Sequence, residues 1–127
     1  MVLHIDTHVA VKLYAGDRGF FPTRALAALD HARLAYSPIV DLELEYLHEI
    51  GRISERPGAI LGYLSDRIAL IPDDTPYLVV ARAARELTWT RDPFDRMITA
   101  AAMVSGRPLL TRDRVIRAHY PGAFWNE

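Results

Sequence analysis

The chain has 127 residues, 50% of them hydrophobic and 24% charged, with a formal net charge of -1. That length suits one domain with a single core, and the balance excludes disordered, collagen-like and coiled-coil architectures. With no cysteine, a disulfide framework, a thiolate zinc site and a cysteine nucleophile are also excluded, in agreement with a reducing cytoplasm.

The N-terminus reaches Asp6 without a basic flank leading into an apolar segment, so no secretory signal is expected. In chain order, VLHI at 2–5 predicts a first strand, followed by helices at 8–15 and 22–32. RLAYS at 33–37 predicts a second strand, then helices at 39–50 and 57–66, a third strand at 68–71 (IALI), and helices at 76–87 and 94–105. PLLT at 108–111 and AFW at 123–125 predict the last two strands. Proline suits the first turn of a helix, which places starts at Ser37-Pro38, Arg56-Pro57, Thr75-Pro76 and Asp92-Pro93; Gly51 and Gly106 suit helix ends. No apolar run approaches the roughly 20 residues of a membrane span, so a soluble, cytoplasmic protein is expected.

Strands alternating with helices predict an α/β fold, one domain over 1–127 with a mostly parallel central sheet of about five strands covered on both faces. In such sheets the functional crevice lies outside the carboxyl ends of the strands. Asp6 follows the first strand and Asp113 follows the fourth, so both belong to one edge.

In SPIVDLELEYLHEI (37–50), Glu43 shares a helix face with Ile39, Val40, Tyr46 and Leu47, whereas Asp41 and Glu45 fall on a polar face with His48 and Glu49. A carboxylate on an apolar face costs several kcal/mol unless it is paired, so Glu43 calls for an arginine or a cation. In TRDPFDRMITAAA (90–102), Asp92 suits an N-cap, while Asp95 lies along a face with Ile98, Thr99 and Ala102. Asp6, Glu43, Asp95 and Asp113 thus form one acidic constellation, with Asp92 as a fifth member. Confined together they repel, and a hard divalent cation, Mg²⁺ or Mn²⁺, resolves the conflict. The chemistry that most needs such a site is phosphodiester hydrolysis.

These segments resemble the PIN-domain family, and in particular the VapC-type toxins of toxin-antitoxin pairs. The resemblance spans nearly the whole chain, through IDTHVAVKLYAG, LELEYLHEIGRI, RDPFDRMITAAAM and PLLTRD. It implies an α/β/α sandwich, Mg²⁺- or Mn²⁺-dependent endoribonuclease activity, and a cognate VapB-type antitoxin. By position, Asp6 matches the aspartate after the first strand, Glu43 the glutamate after the second, Asp95 the aspartate before the IAA-like stretch, and Asp113 the last acidic position. Asp92 belongs to a DPFDR version of the motif. Where relatives often carry WEI, this chain has LEL, so Glu43 is matched by spacing and helix phase. A homodimer and a target such as transfer RNA are also implied by resemblance.

Arg91, Arg96, Arg112 and Arg114 flank the acidic residues, either to hold RNA phosphates or to pair with the carboxylates. Thr7 and Thr111 stand next to candidate ligands, either to hydrogen-bond a carboxylate or a metal-bound water or simply as structural strand-end residues; His4 and His119 read as structural. The segments 20–29 and 58–64 are apolar enough either for the core or for an antitoxin helix. Two alternatives remain. A haloacid-dehalogenase-like phosphatase needs an aspartate where His8 stands, and a non-catalytic RNA- or partner-binding module would be expected to have lost part of the acidic set.

Overall fold

The computed structural model describes residues 1–126. The elements are β1 (Val2–Ile5), α1 (Thr7–Ala15), a 3₁₀ turn (Arg18–Phe20), α2 (Thr23–His31), β2 (Arg33–Tyr36), α3 (Ile39–Glu49) and α4 (Pro57–Ile68). There follow β3 (Ile71–Pro72), α5 (Tyr77–Ala84), α6 (Pro93–Ser105), β4 (Leu109–Leu110), α7 (Arg114–His119) and β5 (Ala123–Phe124).

The strands form one sheet in the order β3-β2-β1-β4-β5, and every neighbouring pair is parallel. Parallel pairing requires a crossover between neighbours, which the helices supply. His4 of β1 stands opposite Ala35 of β2 and Leu109 of β4. Strand β1 is therefore central, and Leu3, His4 and Ile5 are all buried, which is why VLHI is a continuous rather than an alternating pattern. The strand order reverses between β1 and β4, so the crevice expected of such a sheet opens beside Asp6.

Leu3, Ile5, Leu34, Leu109 and Leu110 of the sheet join Val9, Leu44, Ile60, Leu64 and Ile98 of the helices in the main core. A second cluster of Val80, Ala84 and Leu87 with Ala100 and Ala101 joins α5 to α6. Buried alanines on α6 allow that close approach, and this seats the helix carrying Asp95 against the rest of the fold.

The third strand differs from the expectation. The helix runs on to Ile68, Ala69 caps it at φ 56 in the left-handed region, and the strand begins only at Ile71. The apolar run IALI is divided between a helix end, a cap and an edge strand, where Pro72 is tolerated because one side lacks a partner. Helix α5 stops at Ala84 and α7 was not expected. Six residues are too few for a helical period to stand out, and α7 depends on its cap, Asp113.

Candidate metal centre

Three aspartates are the N-caps of the helices that follow their strands or loops. Asp6 starts α1, and its Oδ1 accepts the Thr7 N–H at 2.8 Å. Asp92 starts α6, its Oδ1 accepting from the amides of Phe94 (2.8 Å) and Asp95 (3.3 Å). Asp113 starts α7, its Oδ1 accepting from Val115 (2.8 Å) and Ile116 (2.9 Å). Anions are favoured at the positive end of a helix, so local folding places these carboxylates. In Asp92 and Asp113 a single oxygen takes both cap bonds, which leaves Oδ2 outside the cap.

Two threonines tie the cluster together. The fully buried Thr111 hydroxyl donates to Asp6 Oδ2 at 2.6 Å and accepts the Asp113 N–H at 3.0 Å, coupling the ends of β1 and β4. The buried Thr7 hydroxyl donates to Glu43 Oε1 at 2.5 Å, coupling α1 to α3. Among the described residues the partner of Glu43 is thus a hydroxyl and not an arginine.

Burial and mutual repulsion oppose charging of this group. Asp6 is 6% exposed, and burial pushes its carboxyl up against the opposing pull of the Thr111 and Thr7 hydrogen bonds. Burial likewise raises Glu43, with Asp6 and Asp92 adding repulsion. Asp95 rises to about 7, first through burial and then through Asp92, Asp6, Asp113 and Glu43 in turn. The other four carboxylates of the constellation therefore all lie within electrostatic reach of Asp95. Among the described residues no three carboxylate or imidazole side chains already converge as a finished coordination shell. The carboxylates share one edge of the sheet, and a hard cation there would offset the repulsion that raises Asp95.

The flanking arginines divide. Arg91 donates to the Thr88 carbonyl (3.0 Å) and Arg96 to the Thr90 carbonyl (2.9 Å), so both brace the loop before α6. Arg114 is exposed on the first turn of α7. Arg112 lies 5.1 Å from the Phe20 ring centre and lines a cleft with Asp6, His8, Lys12, Phe20 and Asp113. Among the described residues none of the four forms an ion pair with the carboxylates, so pairing does not account for them. Sequence reasoning missed Lys12, Phe20 and the part His8 plays in the cleft; the one available signal was that His8 and Lys12 lie four residues apart on the helix opened by Asp6. His4 is 1% exposed and faces Asp73 at 3.8 Å, and His119 stacks on Trp89 at 4.9 Å.

The fold and this edge define an α/β protein whose parallel sheet gathers acidic side chains at the carboxyl ends of its strands. Residues 3–120 match the profile of the PIN domain, and the chain belongs to the PIN-domain family. It is 30% identical over 118 residues to Ribonuclease VapC22 of Mycobacterium tuberculosis (strain ATCC 25618 / H37Rv), covering 91% of this chain and 89% of that protein. In fold it is similar to a chain of VapBC2 from Rickettsia felis bound to a DNA fragment from their promoter. There the TM-score is 0.66 at 18% identity, over 98% of this chain and 96% of that one. A chain of DNA-bound VapBC from Salmonella typhimurium gives a TM-score of 0.62 at 21% identity, over 97% and 95%. Family membership removes the phosphatase alternative. Among the described residues no helix is long and apolar enough to cross a membrane.

Proposed function

We propose that the protein is a divalent-metal-dependent endoribonuclease, the toxin of a VapBC-type pair restrained by a VapB-type antitoxin. The observation that carries this is the Asp6, Glu43, Asp95 and Asp113 cluster, in which burial raises Asp6, Glu43 and Asp95 and the other three charges each make Asp95 costlier to ionise. An all-oxygen donor set fits Mg²⁺, with Mn²⁺ as a substitute, and those four residues would hold it, with Asp92 at the rim. When bound, such a cation supplies Lewis-acid stabilisation of charge on a phosphodiester and makes water a better nucleophile.

The chain's own residues prepare that chemistry. Thr111 fixes Asp6 and orients the cap at Asp113, while Thr7 fixes Glu43, so the Asp6 and Glu43 carboxylates are each held towards the site by a hydroxyl from a neighbouring element. Single-stranded loops in structured RNA, such as those of transfer RNA, are the class of target this reading favours. An RNA substrate also puts its work in the cytoplasm.

For the antitoxin, a hollow of about 310 Å³ between α1 and α2, lined by Leu13, Phe21, Leu26, Leu29 and Leu34, supports docking of an amphipathic segment. The segment 58–64 contributes less, since Ile60, Leu61 and Leu64 are core and only Tyr63 presents a large exposed apolar surface. A homodimer is part of the same proposal.

The test is cleavage of a 5′-labelled structured RNA by purified protein with Mg²⁺ or Mn²⁺. Products with 5′ phosphate and 3′ hydroxyl are expected, with activity abolished in Asp6→Asn and Asp95→Asn. Undiminished, metal-independent cleavage by both variants would sink the proposal.

A further inference from the structure

Beside the carboxylates lies a cleft of about 510 Å³ lined by Asp6, His8, Lys12, Phe20, Arg112 and Asp113. Its far wall is cationic. Lys12 comes from α1, Phe20 from the 3₁₀ turn and Arg112 from the loop between β4 and α7, and these separate segments converge on one ring. The Lys12 ammonium is 5.0 Å and the Arg112 guanidinium 5.1 Å from its centre.

The ring itself is anchored. Phe20 makes edge contacts to Phe21 and Trp125, each at 5.3 Å, and both of those residues are buried. The ring's π-electrons therefore offer the two cations a fixed seat, restricting side chains that would otherwise sample many rotamers. Both cations line the same cleft, so their like charges raise its positive potential, and an anion entering the cleft relieves this. Lys12 has a loose ion pair with Asp17 at 3.8 Å, both side chains being partly exposed, whereas Arg112 has no ion pair among the described residues. Because cations already occupy the ring, a stacked base suits it less well than a phosphate bound by the cations it orients.

We propose that Lys12 and Arg112, seated on Phe20, form a phosphate subsite that holds the RNA backbone phosphate next to the scissile one. Single-stranded RNA would then enter the carboxylate centre across the α1 side. This rests on the nuclease reading above, and Phe20 acts in it as a positioning residue.

The experiment measures anisotropy of a labelled single-stranded oligoribonucleotide with the full chain in EDTA across a salt series, alongside cleavage with Mn²⁺. Lys12→Gln and Arg112→Gln should each weaken binding by about three- to tenfold and flatten the slope of log affinity against log salt by about 0.7. Phe20→Leu should weaken binding severalfold while keeping the slope, because both charges remain. Asp17→Asn, which frees Lys12 and removes no side-chain cap bond, should tighten binding. Arg82→Gln, an equal charge change at an exposed position on α5, serves as the control and should alter neither quantity. Cleavage by the wild type together with Lys12→Gln and Arg112→Gln slopes matching the control would overturn the subsite and leave the nuclease intact. The predicted slope changes without cleavage in Mn²⁺ would overturn the nuclease reading and the placement beside a scissile phosphate, leaving only a backbone-phosphate site.

Discussion

Replacing Asp95 by asparagine removes a charge that the fold resists and that a bound cation would need. The shift of its carboxyl from 3.8 to about 7 sets a ceiling of about 4 kcal/mol, at about 1.4 kcal/mol for each tenfold change in proton affinity. The partly exposed side chain lowers that, through solvent screening, to about 1 to 2 kcal/mol. Since the folded pKa lies above the unfolded one, the protonated carboxyl adds to stability below about pH 4, and this contribution drains away as pH rises towards 7. Asp95→Asn should therefore match the wild type near pH 4 and exceed it at pH 8. The melting temperature of the metal-free protein should rise by about 3 to 8 °C there. Saturating Mn²⁺ should reverse the order, because ligand at about 100 times its dissociation constant stabilises the wild type by about 2.7 kcal/mol and the variant far less. Thermal melts at pH 4 and pH 8, in EDTA and in Mn²⁺, read all of this. An advantage for the variant that is equal at both pH values, or none at pH 8, would refute the reasoning.

Other outcomes follow from single contacts. Thr111→Val leaves Asp6 and the Asp113 amide without their shared hydroxyl, so chemical denaturation should show a loss of about 1 to 3 kcal/mol; Mn²⁺ affinity should fall about 10- to 100-fold, with Thr111→Ser restoring it. Ala69→Gly relieves a left-handed residue at φ 56 and should stabilise the protein by about 0.5 to 1 kcal/mol in the same assay. Ile98→Ala empties a position that is 1% exposed on the Asp95 helix and should cost about 2 to 5 kcal/mol.

Much of this was legible from residue order because the chain places acidic groups where local folding needs them. Asp6 and Asp113 follow strands and Asp92 precedes a proline, and each caps a helix in the structure. The phase of α3 singled out Glu43, because Val40, Leu44 and Leu47 are its buried residues and Glu43 sits half-buried beside them. Partners were harder to read. Thr111 and Asp6 are 105 residues apart, and Thr7 and Glu43 are 36 apart; only the strand order brings each pair together. The cleft wall was harder still, since Lys12, Phe20 and Arg112 meet from a helix, a 3₁₀ turn and a loop, with no shared periodicity to announce them. The third strand was displaced because a short apolar run does not say where a helix stops; Ala69 in a left-handed cap decides it.

The most direct test of the central claim is Mn²⁺ titration followed by electron paramagnetic resonance at pH 7.5. The wild type should bind the ion saturably, and Asp6→Asn, Glu43→Gln, Asp95→Asn and Asp113→Asn should each lose that binding while remaining folded. Equal Mn²⁺ affinity in the wild type and all four variants would contradict the assignment of the carboxylates as the metal centre.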